Sequence, residues 1–392
     1  MMLLTTCAAC AKPLGQDAPA HCVNCRTRYC GDRCLRYHAH RGGHDENCDE
    51  IASGGGAEQH HANKKYEEAA AEAVEECAED TEGQTCYVCL EDGSEEGLVR
   101  MCACRGASGI AHLSCLARQA KILVEDAEAR ELDDSKFERW YTCGLCEQEY
   151  HGVVLCALGW ACWKTYVGRP ESDWSRGAAM WLLGNGLFGA KHHEDALSVL
   201  EADLSRQRRL GADDDYLLVA QGNLACTYEK LGRVEEALRL RQEVYSRLLR
   251  LGEDEHEETL RAAENLASSL NGLQRFEETK VLLRKTMPVT RRVLGKSNEI
   301  TLRMRWNYAK ALYANPGATL NDLREAVTTL EDAERVARRV LGGAYPLTEE
   351  IEEQLRDARI ARKTPLADAL ADMRVAGFGI LMCHEKLNLQ AR

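Results

Sequence analysis

The stretches NLACTYEKLGRVEEAL (223–238) and NLASSLNGLQRFEETK (265–280) repeat one another, and a third, NYAKALY (307–313), begins the same way. Asn223, Asn265 and Asn307 stand 42 residues apart at each step, and Leu231-Gly232-Arg233 and Leu273-Gln274-Arg275 keep that interval. Leu224, Ala225 and Tyr228, then Leu266, Ala267 and Leu270, mark the apolar stripe of a helix. A second helix in each unit closes on Leu-Gly, at Leu210-Gly211, Leu251-Gly252, Leu294-Gly295 and Leu341-Gly342. Glycine there suits the left-handed residue that ends a helix. The last interval is lengthened by NPGATLND (315–322), where proline and glycine widen the turn. LLGNGLFGAKHHEDAL (182–197) reads as a degenerate first unit and EQLRDARIAR (353–362) as a final helix. Helix pairs of this period cannot bury their apolar faces singly and must stack. The expected fold is therefore mostly α, with an α-solenoid over 178–362 and a tail over 363–392.

The repeats resemble the tetratricopeptide family, in the 42-residue variety of kinesin light chains, over nearly half of the chain. By that resemblance the first helix of each unit lines a concave face on which protein partners lie in extended form. Asn223, Asn265 and Asn307 then become candidate partner contacts, since a carboxamide offers both donor and acceptor. The plainer alternative is that each Asn joins neighbouring helices. Arg291, Arg292, Arg338 and Arg339 fall at helix ends, where positive charge suits the dipole without any ligand.

The chain ahead of the repeats is different in kind. Fifteen of the nineteen cysteines precede residue 147, mostly in close pairs. No export signal is read at the start, so the pairs point to zinc in a reducing compartment, cytoplasmic or nuclear, rather than to disulfides. The longest apolar run, Val153 to Val167, is broken by Lys164 and two glycines, so no membrane span is expected. The formal charge of −13 disfavours general nucleic-acid binding, and thiolates held by zinc make it more negative. Between the two Cys-rich blocks, residues 49–80 hold a glycine-rich stretch, IASGGGAEQHHAN (51–63), read as a flexible linker. KKYEEAAAEAVEECAED (64–80) follows and reads as a solvated acidic helix.

In the first block, 7–48, the pairs are Cys7-Cys10, Cys22-Cys25, Cys30-Cys34 and His44-Cys48. Cysteines two residues apart on a tight turn can both face one tetrahedral ion, so four pairs mean two ions. His40 is a rival to His44, but only His44 keeps the three-residue step to Cys48. With Tyr29 before Cys30, the order resembles a MYND finger, which binds short peptides. That resemblance implies interleaved sites: Cys7, Cys10, Cys30 and Cys34 on one ion, Cys22, Cys25, His44 and Cys48 on the other.

The second block, 81–152, runs Cys86-Cys89, Cys102-Cys104, His112-Cys115 and Cys143-Cys146. Its CACRGASGIAHLSCL core (102–116) resembles the RING-CH family rather than PHD fingers. The sites implied are Cys86, Cys89, His112 and Cys115, then Cys102, Cys104, Cys143 and Cys146, which makes four zinc ions in the chain. Family members of this kind grip a ubiquitin-conjugating enzyme through an apolar residue before the second ligand, here Val88, and a Leu after the sixth, here Leu116. The Trp expected four residues after Cys115 is Gln119, the Pro after the seventh ligand is Gly144, and the basic residue after the eighth is Glu147. Cys77, Cys156, Cys162, Cys226 and Cys383 lie outside the ligand sets and read as small apolar residues on helices.

Two functions follow. One is a ubiquitin ligase in which the RING-CH module positions a charged conjugating enzyme while the repeats and MYND finger recruit substrates. The other is a non-enzymatic scaffold whose modules all bind protein segments, which Gln119, Gly144 and Glu147 favour. A lysine methyltransferase is excluded, because the space between modules that a SET domain would need holds RING-CH-like sequence.

Overall fold

A computed structural model describes residues 7–12, 14, 20–132, 134–252, 254–342 and 347–363. The expected tail, with Cys383, lies outside the described residues. The chain divides into two units, Met1–Gly232 and Arg233–Arg392, and the division falls in a turn inside one of the sequence repeats.

The first unit opens with a two-residue hairpin, β1 (Ala20–His21) against β2 (Arg28–Tyr29), antiparallel with Ala20 opposite Tyr29. Helices α1 (Asp32–Arg41), α2 (His44–Ser53) and α3 (Ala57–Thr81) follow. The glycine run is thus a corner between two helices and not a linker. Gly55 and Gly56 take φ of 93° and 95°, which a residue with a Cβ rarely adopts. The Ala57 N–H then donates to the Cys25 carbonyl at 2.8 Å, which fixes the corner to the first Cys-rich block. Nor is α3 solvated on all sides. Ala62, Ala69, Ala73 and Cys77 form a buried stripe that packs on α5, and the acidic residues occupy the other face.

The second block contributes α4 (Leu113–Ala129) and a 3-10 turn, Asp134–Trp140, and then runs into α5 (Gly152–Tyr166), α6 (Trp174–Gly189), α7 (His193–Leu210) and α8 (Asp214–Lys230). Ten of the fifteen residues of α5 are buried. A helix apolar on all sides needs neighbours all round, and α3, α4 and α6 supply them. One core therefore runs from Val99, Ile110 and Cys143 of the second block through Trp140, Trp163 and Tyr166 to Leu183 of α6. The sequence reading separates a zinc module at 81–152 from repeats at 178–362, whereas here the module and the first helices share their interior.

The second unit contains α9 (Val234–Arg250), α10 (Glu257–Gly272), α11 (Phe276–Val293), α12 (Glu299–Tyr313), α13 (Leu320–Val340) and a last helix, α14, over 347–363. Each of α9 to α13 packs on the next, and α10 also meets α12, as stacked helix pairs require. The core joins Leu260, Ala263 and Ala267 to Leu302, Tyr308 and Leu312, and beyond them to Leu330, Ile351 and Leu355. Gly211, Gly252, Gly295 and Gly342 all take positive φ, between 67° and 93°, as the Leu-Gly pattern leads one to expect. Asn298 caps α12 through the Ile300 N–H, and Thr319 with Asp322 forms a capping box on α13. No described helix is long and apolar enough to cross a membrane.

Candidate metal centres

Four groups of ligand atoms converge, each within 4.8 Å: Cys7, Cys10, Cys30, Cys34; Cys22, Cys25, His44, Cys48; Cys86, Cys89, His112, Cys115; and Cys102, Cys104, Cys143, Cys146. The interleaved grouping implied by the family resemblance is the one these residues adopt. The separations identify the chemistry. A tetrahedral zinc with Zn–S near ~2.3 Å places its sulfurs roughly 3.8 Å apart. Cys10–Cys30, Cys30–Cys34, Cys22–Cys48 and Cys104–Cys143 stand at 3.6, 3.5, 3.5 and 3.7 Å. A disulfide would need about 2.05 Å. The histidine nitrogens fit the same polyhedron, with His44 Nε2 3.5 Å from Cys25 Sγ and His112 Nδ1 3.3 Å from Cys89 Sγ. The four Cys/His clusters are geometrically consistent with four zinc sites.

One local device builds four of the eight ligand pairs. Cys7, Cys22, Cys86 and Cys143 each donate their N–H to the carbonyl five residues on, at Lys12, Thr27, Glu91 and Gln148, over 2.8–2.9 Å. Each also accepts, through its carbonyl, the N–H of the residue four on, at 2.9–3.0 Å. That fourth residue sits in the left-handed region in every case: Ala11 at 56°, Arg26 at 62°, Leu90 at 68° and Glu147 at 57°. None is glycine, so each turn holds a side chain in a conformation that costs roughly 1–2 kcal/mol. The sequence pattern Cys-x2-Cys announces the turn but not this strain, because the residue types at the fourth position share nothing.

Second partners orient the ligands. His112 Nε2 lies 2.9 Å from the Asp92 carbonyl, which leaves Nδ1 for the metal. Asn24 Nδ2 reaches Cys48 Sγ at 3.5 Å and Asp49 at 2.9 Å, and the Val88 and Leu145 N–H groups donate to Cys86 and Cys143 sulfurs. His38 stacks on His44 at 5.2 Å and shares a hydrogen bond with the Tyr29 hydroxyl at 2.9 Å. His40 is exposed and belongs to no ligand group among the described residues. Burial pushes the Cys7 thiol up, but N–H groups of Cys30, Ala9 and Cys10 outweigh it and bring it to about 6. Burial likewise opposes the Cys86 thiolate, and the N–H groups of Cys89, His112 and Val88 bring that thiol to about 7. Both turns thus favour the thiolate that zinc requires.

The expected partner contacts divide. Val88 is exposed, as are Leu90 and Leu145 on the neighbouring turns. Leu116 is only 4% exposed, because it falls on the stripe Leu113, Leu116, Ala120, Val124 that faces the core. It forms no grip on a surface. Asn307 is also buried: its Nδ2 donates to Glu264 at 3.1 Å, and its carbonyl oxygens accept from Asn271 Nδ2. Asn223 is half-buried on α8. Asn265, half-buried on α10, lines a groove of about 640 Å³ with Arg261, Arg303 and Trp306. Of the remaining cysteines, Cys77, Cys156 and Cys162 are buried, and burial pushes the Cys156 thiol up to about 12.

Residues 86–146 match the family model of the RING-variant domain, and residues 259–298 match a tetratricopeptide repeat model. Among solved structures the chain is similar to a Podosopora anserina putative kinesin light chain with nearly identical TPR-like repeats. That likeness has 19% identity and a TM-score of 0.40, covering 58% of this chain and 95% of that one. It is also similar to BtubC (BKLC) from P. vanneervenii, at 15% identity and a TM-score of 0.36, covering 64% and 91%. No curated protein sequence matches. The chain thus carries four zinc-site cysteine and histidine clusters, two of them within a RING-variant match, followed by tetratricopeptide-type repeats.

Proposed function

We propose that the chain is a non-enzymatic scaffold whose helical repeats, with its zinc modules, recruit segments of other proteins. The first module is read as MYND-type, the second as RING-CH-type, and the repeats as kinesin-light-chain-like. The reducing compartment suited to unpaired thiolates is cytoplasmic or nuclear. The observation that carries the reading is the groove on α10 and α12. Arg261, Asn265 and Ser268 from α10 and Arg303 and Trp306 from α12 line it and offer donors, acceptors and one aromatic face. Such a mixture suits an extended peptide, whose backbone needs both kinds of partner. A photo-crosslinking residue placed at Ser268 of the zinc-loaded protein tests it. Adducts with protein segments, lost when Asn265 and Arg303 are replaced by Ala and Glu, are the expected result. Adducts indifferent to those changes would sink the reading.

One observation supports a ubiquitin ligase as the second reading. The turns bearing Val88 and Leu145 lie side by side, since a Cβ on Gly144 would come within 3.5 Å of the Tyr87 hydroxyl, and both apolar side chains are exposed. Buried Leu116 and the Gln119 that stands for a Trp weigh against it. Ubiquitin discharge from a panel of charged conjugating enzymes separates the two, with the Cys86→Ser, Cys89→Ser protein as control. Discharge by the zinc-loaded wild type alone would establish the ligase.

A further inference from the structure

The first turn of α3 joins a metal ligand to the helical core. Ala57 opens the helix, so its N–H has no partner within it and donates to the Cys25 carbonyl instead. Cys25 is buried and belongs to the group Cys22, Cys25, His44, Cys48. Gly56 lies against the same carbonyl, which a Cβ there would approach to 3.4 Å. Helix α2 carries His44 and Cys48 of that group and leads through the glycine corner into this turn. The next two residues reach the core. Gln59 donates its Nε2 at 2.9 Å to the Lys164 carbonyl, one of the last four of α5, which the helix itself leaves without partners. Glu58 pairs with Arg176 of α6 at 3.4 Å, the two side chains only 12% and 11% exposed, so solvent screens the pair little.

What orders the chain on either side of this turn differs. In the first Cys-rich block the buried apolar cluster is Cys7, Ala20 and Tyr29 among the described residues. So small a core leaves the metal as the main source of order. The rest of α3 is held by Ala62, Ala69, Ala73 and Cys77 packed on α5, which needs no ion of the first block. The boundary between the two regimes falls between His60 and Ala62.

We propose that the ion at Cys22, Cys25, His44 and Cys48 works as a latch on α3. With the ion bound, the turn 57–60 is closed on Cys25 and holds Glu58 on Arg176 and Gln59 on Lys164. With it removed, that turn opens while 62–77 stay docked, and the ends of α5 and α6 each lose a contact. The metal state of the first module is thus felt by the helices that share their interior with the second. Coupling of this kind is reciprocal, so whatever breaks the turn weakens the ion by the same factor.

Chelator titration of the zinc-loaded full chain, read by amide-resolved hydrogen exchange, tests the latch. The Arg26 N–H, bonded to the Cys22 carbonyl, reports the site. The Ala57 and His60 amides should lose protection at the chelator concentration that releases Arg26, with 69–77 unchanged. Ala57→Pro supplies the complementary arm, because proline suits the first helical position but has no N–H for Cys25. That protein should keep the protection of 62–77 and hold its ion at this site about tenfold more weakly, with the two ions of the second Cys-rich block unaffected. Glu58→Gln with Gln59→Leu, which alters no ligand, should weaken the same ion about fivefold. Protection at Ala57 and His60 that outlasts Arg26, or an α3 that opens along its whole length, would overturn the proposal. So would an affinity unchanged by Ala57→Pro. An ion indifferent to the Glu58, Gln59 pair would overturn the link to α5 and α6.

Discussion

Gly186 of α6 faces the carbonyl of Leu155 so closely that a Cβ there would stand 2.8 Å from the oxygen, and 2.9 Å from the Cα of Cys156. Gly159 of α5 returns the relationship toward Leu183, at 3.0 Å from its Cα. The two helices meet backbone to backbone, and this contact lets one core pass from the second zinc module into the helices. Gly186→Ala should therefore cost about 1–3 kcal/mol by overpacking against backbone that cannot yield. Gly222→Ala on α8, with open space around it, should stabilise by about 0.5–1 kcal/mol through helix propensity. Chemical denaturation of the two variants would show shifts of opposite sign.

The metal count is open to direct measurement. Native mass spectrometry should find four zinc ions on the wild type, three on Cys25→Ser or His44→Ala, and four on His40→Ala. Loss of an ion with His40→Ala would reverse the assignment of the second site.

Leu90 occupies the left-handed position of its turn at φ 68° while exposing most of its side chain. Leu90→Gly keeps the N–H to Cys86 hydrogen bond and removes the Cβ strain, so the metal-bound state should gain about 1 kcal/mol. Leu90→Val should lose a comparable amount, because a branched residue is poorest there. Chelator competition for zinc ranks the three proteins, and an order other than Gly, Leu, Val would refute the strain.

Asn265 and Asn307 occupy the same repeat position with different duties. Asn307→Ala removes a buried carboxamide and strands Glu264 and Asn271, at a cost of about 1–3 kcal/mol. Asn265→Ala should stay within roughly 0.5 kcal/mol, as expected away from buried networks. Thermal melts of the two single variants decide whether the row of asparagines is one feature or two.

His61, half-buried beside Trp160 at 5.8 Å, has its pKa lowered by burial first and by Lys65 next, against the pull of Asp195 and Glu68. The unfolded chain then takes up the proton before the folded one. Stability is intact above the unfolded value of 6.5 and declines as pH falls from there toward the lower folded value. His61→Gln should flatten that decline relative to wild type between pH 7 and pH 5. Parallel melting curves for the two proteins across this range would show that His61 does not contribute.

Much of this protein was written locally. The 42-residue repeat, the Leu-Gly helix ends and the close Cys/His pairs were legible, because helical period and pair spacing are properties of a few consecutive residues, whereas the interleaving of the pairs came from the family resemblance. Other features needed contacts between distant segments. The alanine stripe on α3 has no meaning until α5 covers it, and the glycine run becomes a corner only because Ala57 binds the Cys25 carbonyl. Leu116, a partner contact by analogy, and Asn307, read either as a partner contact or as a link between helices, both lie on helix faces that neighbouring elements bury. Sequence determined the repeat helices and the paired ligand residues, since those follow from spacing. Tertiary structure decided which faces remain open to a partner, since exposure depends on what packs against each face.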